Sequence, residues 1–318
     1  MIFKNLLNKI KKKKINRKVL VIGEIFEDIF VESEIIKISQ EAPVMVINPK
    51  SNIRNKYLGG AGNVLQNLLS ANVNTSLISL AENNNINYVN QKSKNKISFI
   101  IDRSFQNIKK IRYVSNNKHI IRIDHEKKYN FPKKKDLELI NLVKKKMNNT
   151  SIIVFSDYDK GFLTNTNIPK IIEFIIKHKD KKIFVDSKRD NLEIFKNVHL
   201  IKINNLEACN YFKIQDIYKR SNYYKIFNFL EKNNIQKIII TTGKNGAILF
   251  YKKSFIYLNN KKRSEVYDVS GAGDTFLSYL VVGSLSELEI KNSIMLANHA
   301  SFLAITKYGI SSINKEEL

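Results

Sequence analysis

A single cysteine, Cys209, leaves this chain of 318 residues without an intramolecular disulfide and without a thiol cluster for a metal. It stands two residues after Glu207 in a helical stretch, where it reads as a small buried hydrophobe. Five histidines show no metal-ligand spacing. Acidic residues are scarce: 29 Asp and Glu face 54 Lys and Arg, a formal net charge of +25. Such an excess usually points to nucleic acid or an acidic membrane surface. Here the lysines are spread with asparagine and isoleucine through helices, loops and strands alike, as A/T-rich codons would produce. No aromatic-interleaved basic stripe or zinc-finger spacing accompanies them, so a nucleic-acid partner is not expected. No apolar run reaches the length of a membrane span. Residues 1–18 form a basic N-terminal extension in which Ile2, Phe3, Leu6, Leu7 and Ile10 precede four consecutive lysines. Its apolar part is too short for a secretory signal and its charges lie on the wrong side. It reads as a frayed or packed extension rather than a membrane-surface helix, and a cytoplasmic location without stable membrane insertion follows.

What the chain does have is alternation of apolar runs with helical patterns, which specifies an α/β fold: a mainly parallel central sheet with helices on both faces. Strands are expected at 19–22, 76–80, 152–156, 183–186, 200–203, 238–241 and 247–251. Helices are expected at 60–71, 168–177, 205–212, 223–232, 274–283 and 288–306. Two stretches, 29–48 and 97–124, break the rhythm and read as extended and alternating, rich in Ile, Val, Phe and Tyr.

The densest chemistry lies in Asp268-Val-Ser-Gly-Ala-Gly-Asp-Thr275, which runs straight into an apolar helix. Gly271 and Gly273 permit a tight turn, and the amides of Gly271, Ala272 and Gly273 would converge at the positive end of a helix dipole. Asp274 beside such an anion hole is electrostatically costly unless it accepts a proton from a hydroxyl while the amides stabilise a phosphoryl group. A plain helix N-terminus with an acidic cap is the bland alternative.

This string resembles the C-terminal signature of the ribokinase-like (PfkB) carbohydrate kinases. Leu58-Gly-Gly-Ala-Gly-Asn63 is similar to the family's N-terminal glycine motif, and Gly23-Glu-Ile-Phe-Glu-Asp28 matches its Gly-Asp-x-x-x-Asp spacing. The resemblance runs from about Val19 to the C-terminus. It implies a ribokinase-like domain over 19–318, whose segments at about 29–48 and 97–124 form a small projecting β lid that covers the sugar and pairs two subunits in a homodimer. It implies sugar binding by Asp28, Gly59, Gly60 and Asn63. Read alone, Asp28 is as good a turn or helix cap and Asn63 as good an N-cap. Asn204-Asn-Leu-Glu207 resembles the Asn-x-x-Glu motif, with Glu207 organising a hydrated Mg²⁺ and the ATP phosphates; by itself it also reads as a capping box. Lys202-Ile203 replace the Thr-Pro common before that motif. Thr241 and Gly246 fall where the family borders the nucleotide, and Asn298 matches an asparagine near the adenine. A monovalent cation is a further cofactor the family suggests.

Finer matches point within the family. Lys37-Ile-Ser-Gln-Glu-Ala-Pro-Val44, the segments Ile108-Lys-Lys-Ile-Arg112 and Ile120-Ile-Arg-Ile-Asp124, Ser156-Asp-Tyr-Asp-Lys-Gly161 and Asp186-Ser-Lys188 are similar to those of D-glycero-D-manno-heptose 7-phosphate kinases. That resemblance implies an ATP- and Mg²⁺-dependent phosphotransferase that makes heptose 1,7-bisphosphate for ADP-heptose and surface polysaccharide. A substrate already carrying a phosphate needs distal cations, for which Arg122, Lys160 and Lys188 are the candidates. The chain ends at Leu318, so a separate nucleotidyltransferase is expected downstream. A related kinase for ribose or fructose is the first rival, and a basic non-catalytic nucleic-acid-binding protein the second.

Overall fold

Short runs of Ile, Val, Leu and Phe bounded by polar turns become the strands of one nine-stranded sheet, because each run presents alternate residues to two hydrophobic layers. The computed structural model describes residues 2–83, 93, 96–116, 118–259 and 269–318. In spatial order the sheet runs β5 (Ile97–Ile101), β4 (Asn74–Ala81), β1 (Lys18–Gly23), β8 (Thr150–Asp157), β9 (Lys182–Ser187), β10 (Leu200–Asn204), β11 (Lys237–Thr241), β12 (Ala247–Tyr251) and β13 (Ser254–Leu258). All pairings from β5 to β11 are parallel, and β12 and β13 close the edge as an antiparallel hairpin.

Strand β1 shows the two-sided logic. Leu20 and Ile22 enter the layer containing α3 (Asp136–Lys146), α4 (Asn167–Ile176), α5 (Asn205–Phe212) and α6 (Tyr223–Lys232). Val19 and Val21 enter the opposite layer with α2 (Ala61–Ser70), α7 (Ala272–Leu285) and α8 (Ile290–Ile305). Each fully buried aliphatic side chain contributes about 1.5–3 kcal/mol. Half-buried Cys209 packs against the first layer. The N-terminal helix α1 (Ile2–Lys12) is packed: Ile10 is buried in the second layer, and Lys11 Nζ donates to the Glu316 carbonyl at 2.9 Å.

From the end of β1 the chain leaves the core as β2 (Ile25–Ile38), returns as β3 (Met45–Gly60), and adds β6 (Ile108–Ser115) and β7 (Lys118–His125) to give a second sheet ordered β3-β2-β6-β7. This projecting sheet differs from the expected lid in two respects. Its first hairpin is longer, pairing Ile25 with Gly60 at one end and Ile38 with Met45 at the other. The returning half, around Pro49 and Lys50, is too polar to show apolar alternation. Second, 97–124 is not one unit: β5 pairs with β4 (Leu77 opposite Ile97) and belongs to the central sheet, anchored by buried Ile100. Period-two alternation identifies a strand but not the sheet that it joins. Helices α1 and α3 and strand β13 were also outside the expected elements.

Candidate active site

Strand order reverses between β1 and β8: the chain proceeds from β1 to β4 and β5 on one side and returns to β8, β9 and β10 on the other. At such a switch point the loops leaving the strands diverge and open a crevice beyond their C-terminal ends. Here that crevice is a cleft of about 510 Å³, whose walls include Tyr158, Asp186, Lys188, Lys202, Thr241, Gly273 and Asp274.

Asp274 sits in the first turn of α7, which starts after Gly271. Gly271 has φ +76°, and a Cβ there would meet Asn63 Nδ2 at 2.5 Å, so glycine is required twice over. Asn63 Nδ2 donates to Asp274 Oδ2 at 3.0 Å, and Tyr158 Oη donates to Asp274 Oδ1 at 2.7 Å. Asn63 is oriented in turn by Asn67, whose Nδ2 donates to Asn63 Oδ1 at 2.9 Å. The two glycine motifs therefore meet at the Asn63 amide, which donates to Asp274 and, at 3.4 Å, to the Gly271 carbonyl. Asn63 is inside α2, whose N-cap is Gly60, so its amide is not spent on capping. Burial raises the Asp274 carboxyl to about 6, against the pull of the Tyr158 and Asn63 hydrogen bonds.

Tyr158 is held from below. Its backbone N–H donates to Glu24 Oε2 at 3.0 Å, and its neighbour Asp157 is buried against the Arg189 guanidinium and Ser187 Oγ, the latter at 2.8 Å. Burial, followed by the nearby Asp157 charge, raises Glu24 to about 7. Its Oε1 has no hydrogen-bond partner among the described residues. Burial beside Asp274 and Asp186 pushes the Tyr158 phenol up, so it remains a donor at every working pH.

Two lysines converge on Asp186 at the end of β9: Lys202 Nζ lies 2.7 Å from Oδ2 and Lys188 Nζ 3.3 Å from Oδ1. Burial opposes ionisation of Asp186, but these cations outweigh it and hold the carboxyl below its usual range. Lys188 also reaches Glu207 Oε1 at 2.6 Å; burial alone would lower its ammonium, but the two carboxylates raise it. Asn204 and Glu207 form a reciprocal capping box on α5: Glu207 N–H donates to Asn204 Oδ1 at 2.9 Å and Asn204 N–H to Glu207 Oε2 at 2.8 Å. Asn204 Nδ2 adds a bond to Oε1 at 2.6 Å. With both oxygens engaged, Glu207 suits a divalent ion approached through water rather than one bound directly. Among the described residues no group of three or more His, Cys, Asp or Glu forms a metal cage.

A family profile described as pfkB family carbohydrate kinase matches residues 16–317. The chain belongs to that family. It is thus a phosphotransferase acting on a carbohydrate. It is 30% identical over 310 residues to Bifunctional protein HldE of Campylobacter curvus, covering 94% of this chain and 64% of that protein. Against Bifunctional protein HldE of a Nitratiruptor species the identity is 28% over 308 residues, with 95% and 64% covered. The chain thus spans a little under two thirds of these relatives. Among solved structures, Escherichia coli phosphofructokinase-2 in complex with substrates and products superposes with TM-score 0.77 at 12% identity, covering 95% of this chain and 96% of that one. Arabidopsis thaliana ribokinase complexed with ribose and ATP gives 0.71 at 14%, covering 95% and 97%. Those two share the fold.

Of the pfkB positions singled out in the sequence, Asp274, Gly271, Gly273, Asn63, Asn204, Glu207, Lys188 and Thr241 gather at or beside the cleft. Ala272 is the first residue of α7. Lys188 lines the cleft wall beside Asp186 and reaches Glu207. Asp28 and Gly59 adjoin one another in the β2–β3 hairpin, and Gly60 ends β3. Asp28 is ion-paired with buried Arg112. Lys160 bonds Glu126 at 2.6 Å, and exposed Arg122 bonds Asp124 at 2.8 Å. Gly246 is held behind the Thr242 turn, and Asn298 is half-buried on α8; neither lines the cleft. Asp268 lies outside the described residues. Tyr158, Asp186 and Arg112 were missed as site residues although each stands in a segment that drew attention. Asp-x-Lys at the end of a strand beside the switch point was the available signal for Asp186.

Proposed function

We propose that this carbohydrate kinase transfers the γ-phosphoryl group of ATP to the anomeric hydroxyl of D-glycero-D-manno-heptose 7-phosphate, giving the 1,7-bisphosphate for ADP-heptose and surface polysaccharide. The observation that carries the chemistry is Asp274, held by Asn63 and Tyr158 at the N-terminus of α7 in the switch-point cleft. Its carboxylate accepts the hydroxyl proton, and the amides of Gly271, Ala272 and Gly273 face the transferring phosphoryl group. Asn204, Glu207 and Thr241 line the nucleotide side, while Asp28, Gly59, Gly60 and Asn63 meet the sugar. Mg²⁺, when bound, supplies charge neutralisation on the nucleotide phosphates, with Glu207 ordering its waters.

Heptose 7-phosphate is supported by the segments resembling its kinases and by the charge of the projecting sheet. Lys110 and Lys160 share the single carboxylate of Glu126, at 3.7 and 2.6 Å, so this corner stays cationic. With Arg122 they are the groups for the distal phosphate. A charge-assisted bond contributes roughly 1.5–3 kcal/mol, about one to two factors of ten in specificity. Lys160→Ala or Arg122→Ala should therefore lower kcat/KM for heptose 7-phosphate while leaving ATP affinity intact. The decisive assay incubates the protein with ATP, Mg²⁺ and a panel of sugar 7-, 6- and 5-phosphates with free ribose and fructose, and locates the new phosphate by ³¹P NMR. Faster turnover of ribose or fructose would sink the heptose assignment and leave the kinase in place.

The projecting sheet also supports a homodimer. Ile36, Ile38, Val44 and Met45 are exposed by 57, 70, 56 and 52% on its outer part, an apolar surface that a second copy would cover. Light scattering is expected to give twice the chain mass at micromolar concentration, and a monomer there would remove the pairing. No described helix is long and apolar enough to cross a membrane. A cytoplasmic kinase step ahead of a nucleotidyltransferase step is the setting we infer from the heptose reading.

A further inference from the structure

Lys202 is a charged group in the cleft to which the chemistry above assigns no task. It stands on β10 and is only 2% exposed, among the largest fully buried side chains of the protein. The motif that its segment resembles has threonine there. Its Nζ lies 2.9 Å from where a Cβ on Gly273 would stand, so the ammonium rests on the open face of the second glycine, one residue from Asp274. A side chain at 273, where φ places no demand, would make the cation shift. Among the described residues the ammonium makes one hydrogen bond, to Asp186 Oδ2. An ammonium carries three donors, so two are left, and a desolvated cation with spare donors is stable only beside an acceptor. Asp186 supplies part of that and is itself shared with Lys188. An anion at the Gly273 amide would match the remaining deficit.

We propose that Lys202 is a further catalytic residue, a cation that contacts the transferring phosphoryl group beside the α7 amides, with Asp186 positioning it. The inference rests on the phosphotransfer reading above. In the step, the sugar oxygen forms a bond to the γ-phosphorus as its proton passes to the Asp274 carboxylate. The bond from the γ-phosphorus to the bridging oxygen breaks, and its electron pair leaves with ADP. Lys202 offsets negative charge on the phosphoryl oxygens through that change and keeps its own proton. The ligand it recognises is the terminal phosphate of a nucleoside triphosphate.

Lys202→Met keeps length and removes charge. It is expected to lower kcat by about 10²–10³-fold, the loss seen when one preorganised donor to developing charge is removed, with KM for the sugar phosphate unchanged. A second measurement needs neither turnover nor metal: affinities for AMP-PNP and ADP by calorimetry in EDTA. The preference of the wild-type protein for the triphosphate analogue should shrink by about tenfold in the variant, the size of one charge-assisted bond. Wild-type kcat, or an unchanged AMP-PNP to ADP ratio, would overturn the assignment. Should the single variant fail to fold because Asp186 is left short of a cation, Lys202→Met with Asp186→Asn removes that imbalance, and the same ratio is read there. If no sugar phosphate is turned over by the wild-type protein, the substrate reading fails, yet the ratio still decides the role of Lys202.

Discussion

Asp274→Asn is expected to keep the fold and the nucleotide affinity while lowering turnover by about 10²–10⁴-fold, the usual contribution of a positioned general base. The substitution is isosteric and its partners can adapt. Asparagine can offer its oxygen to Asn63 Nδ2 and donate its amide to the Tyr158 oxygen, so both bonds to residue 274 survive. Near-wild-type turnover would remove Asp274 from the chemistry. Stability should move the other way. The carboxyl titrates at about 6 in the folded protein against 3.8 in the unfolded chain, chiefly because burial disfavours its charge. Between those values the folded state holds the extra proton, so the wild-type protein loses stability as pH rises through that window. At neutral pH the neutral amide should recover up to about 3 kcal/mol, and a variant that melts higher but turns over far less is the expected pair of results.

The same carboxyl sets the acid side of the rate profile. A base must be unprotonated, so kcat/KM should be level above a pH of about 6 and fall about tenfold per unit below it. Tyr158→Phe removes a hydrogen bond that favours the charged carboxylate, so the break should shift to higher pH. An unshifted break in that variant would separate Tyr158 from the base.

Much of this was legible in sequence because the determinants are local. Seven apolar runs each filled two core layers and became the strands expected of them, and the α5 and α6 boundaries coincided with the expected 205–212 and 223–232. The glycine turn before Asp274 was equally local. What escaped depends on contacts between distant segments. Asn63 and Asp274 are 211 residues apart, and only the packing of α2 beside α7 joins them. Lys188 could not be assigned to the cleft until β9 and β10 were neighbours, which brings Asp186, Lys202 and Glu207 around it. Asn204 and Glu207 illustrate a different limit: the capping box is real, yet Asn204 lines the cleft and Glu207 pairs with Lys188 of its wall, so the cap does not by itself exclude the other reading of that motif.

Arg112→Met should be the most damaging substitution for stability outside the cleft. Arg112 and Asp28 are 5% and 3% exposed and paired at the base of the projecting sheet, where β2 runs beside β6. Removing one member strands a buried charge, which typically costs about 3–5 kcal/mol. Burial already raises the Asp28 carboxyl, and Arg112 is the main influence pulling it back. Without Arg112 the folded state should hold the Asp28 proton to higher pH than the unfolded chain does. The deficit against wild type should then shrink toward acid pH and grow toward alkaline pH, which denaturant melts on either side of neutrality would read. Asp28→Asn with Arg112→Met leaves no stranded charge and should regain most of the lost stability. It should not regain sugar affinity, because the proposed carboxylate acceptor for the sugar hydroxyls is gone, while ATP affinity, which depends on the far side of the cleft, stays near wild type. Recovery of both stability and sugar turnover in the double variant would make Asp28 a structural partner of Arg112 and nothing more.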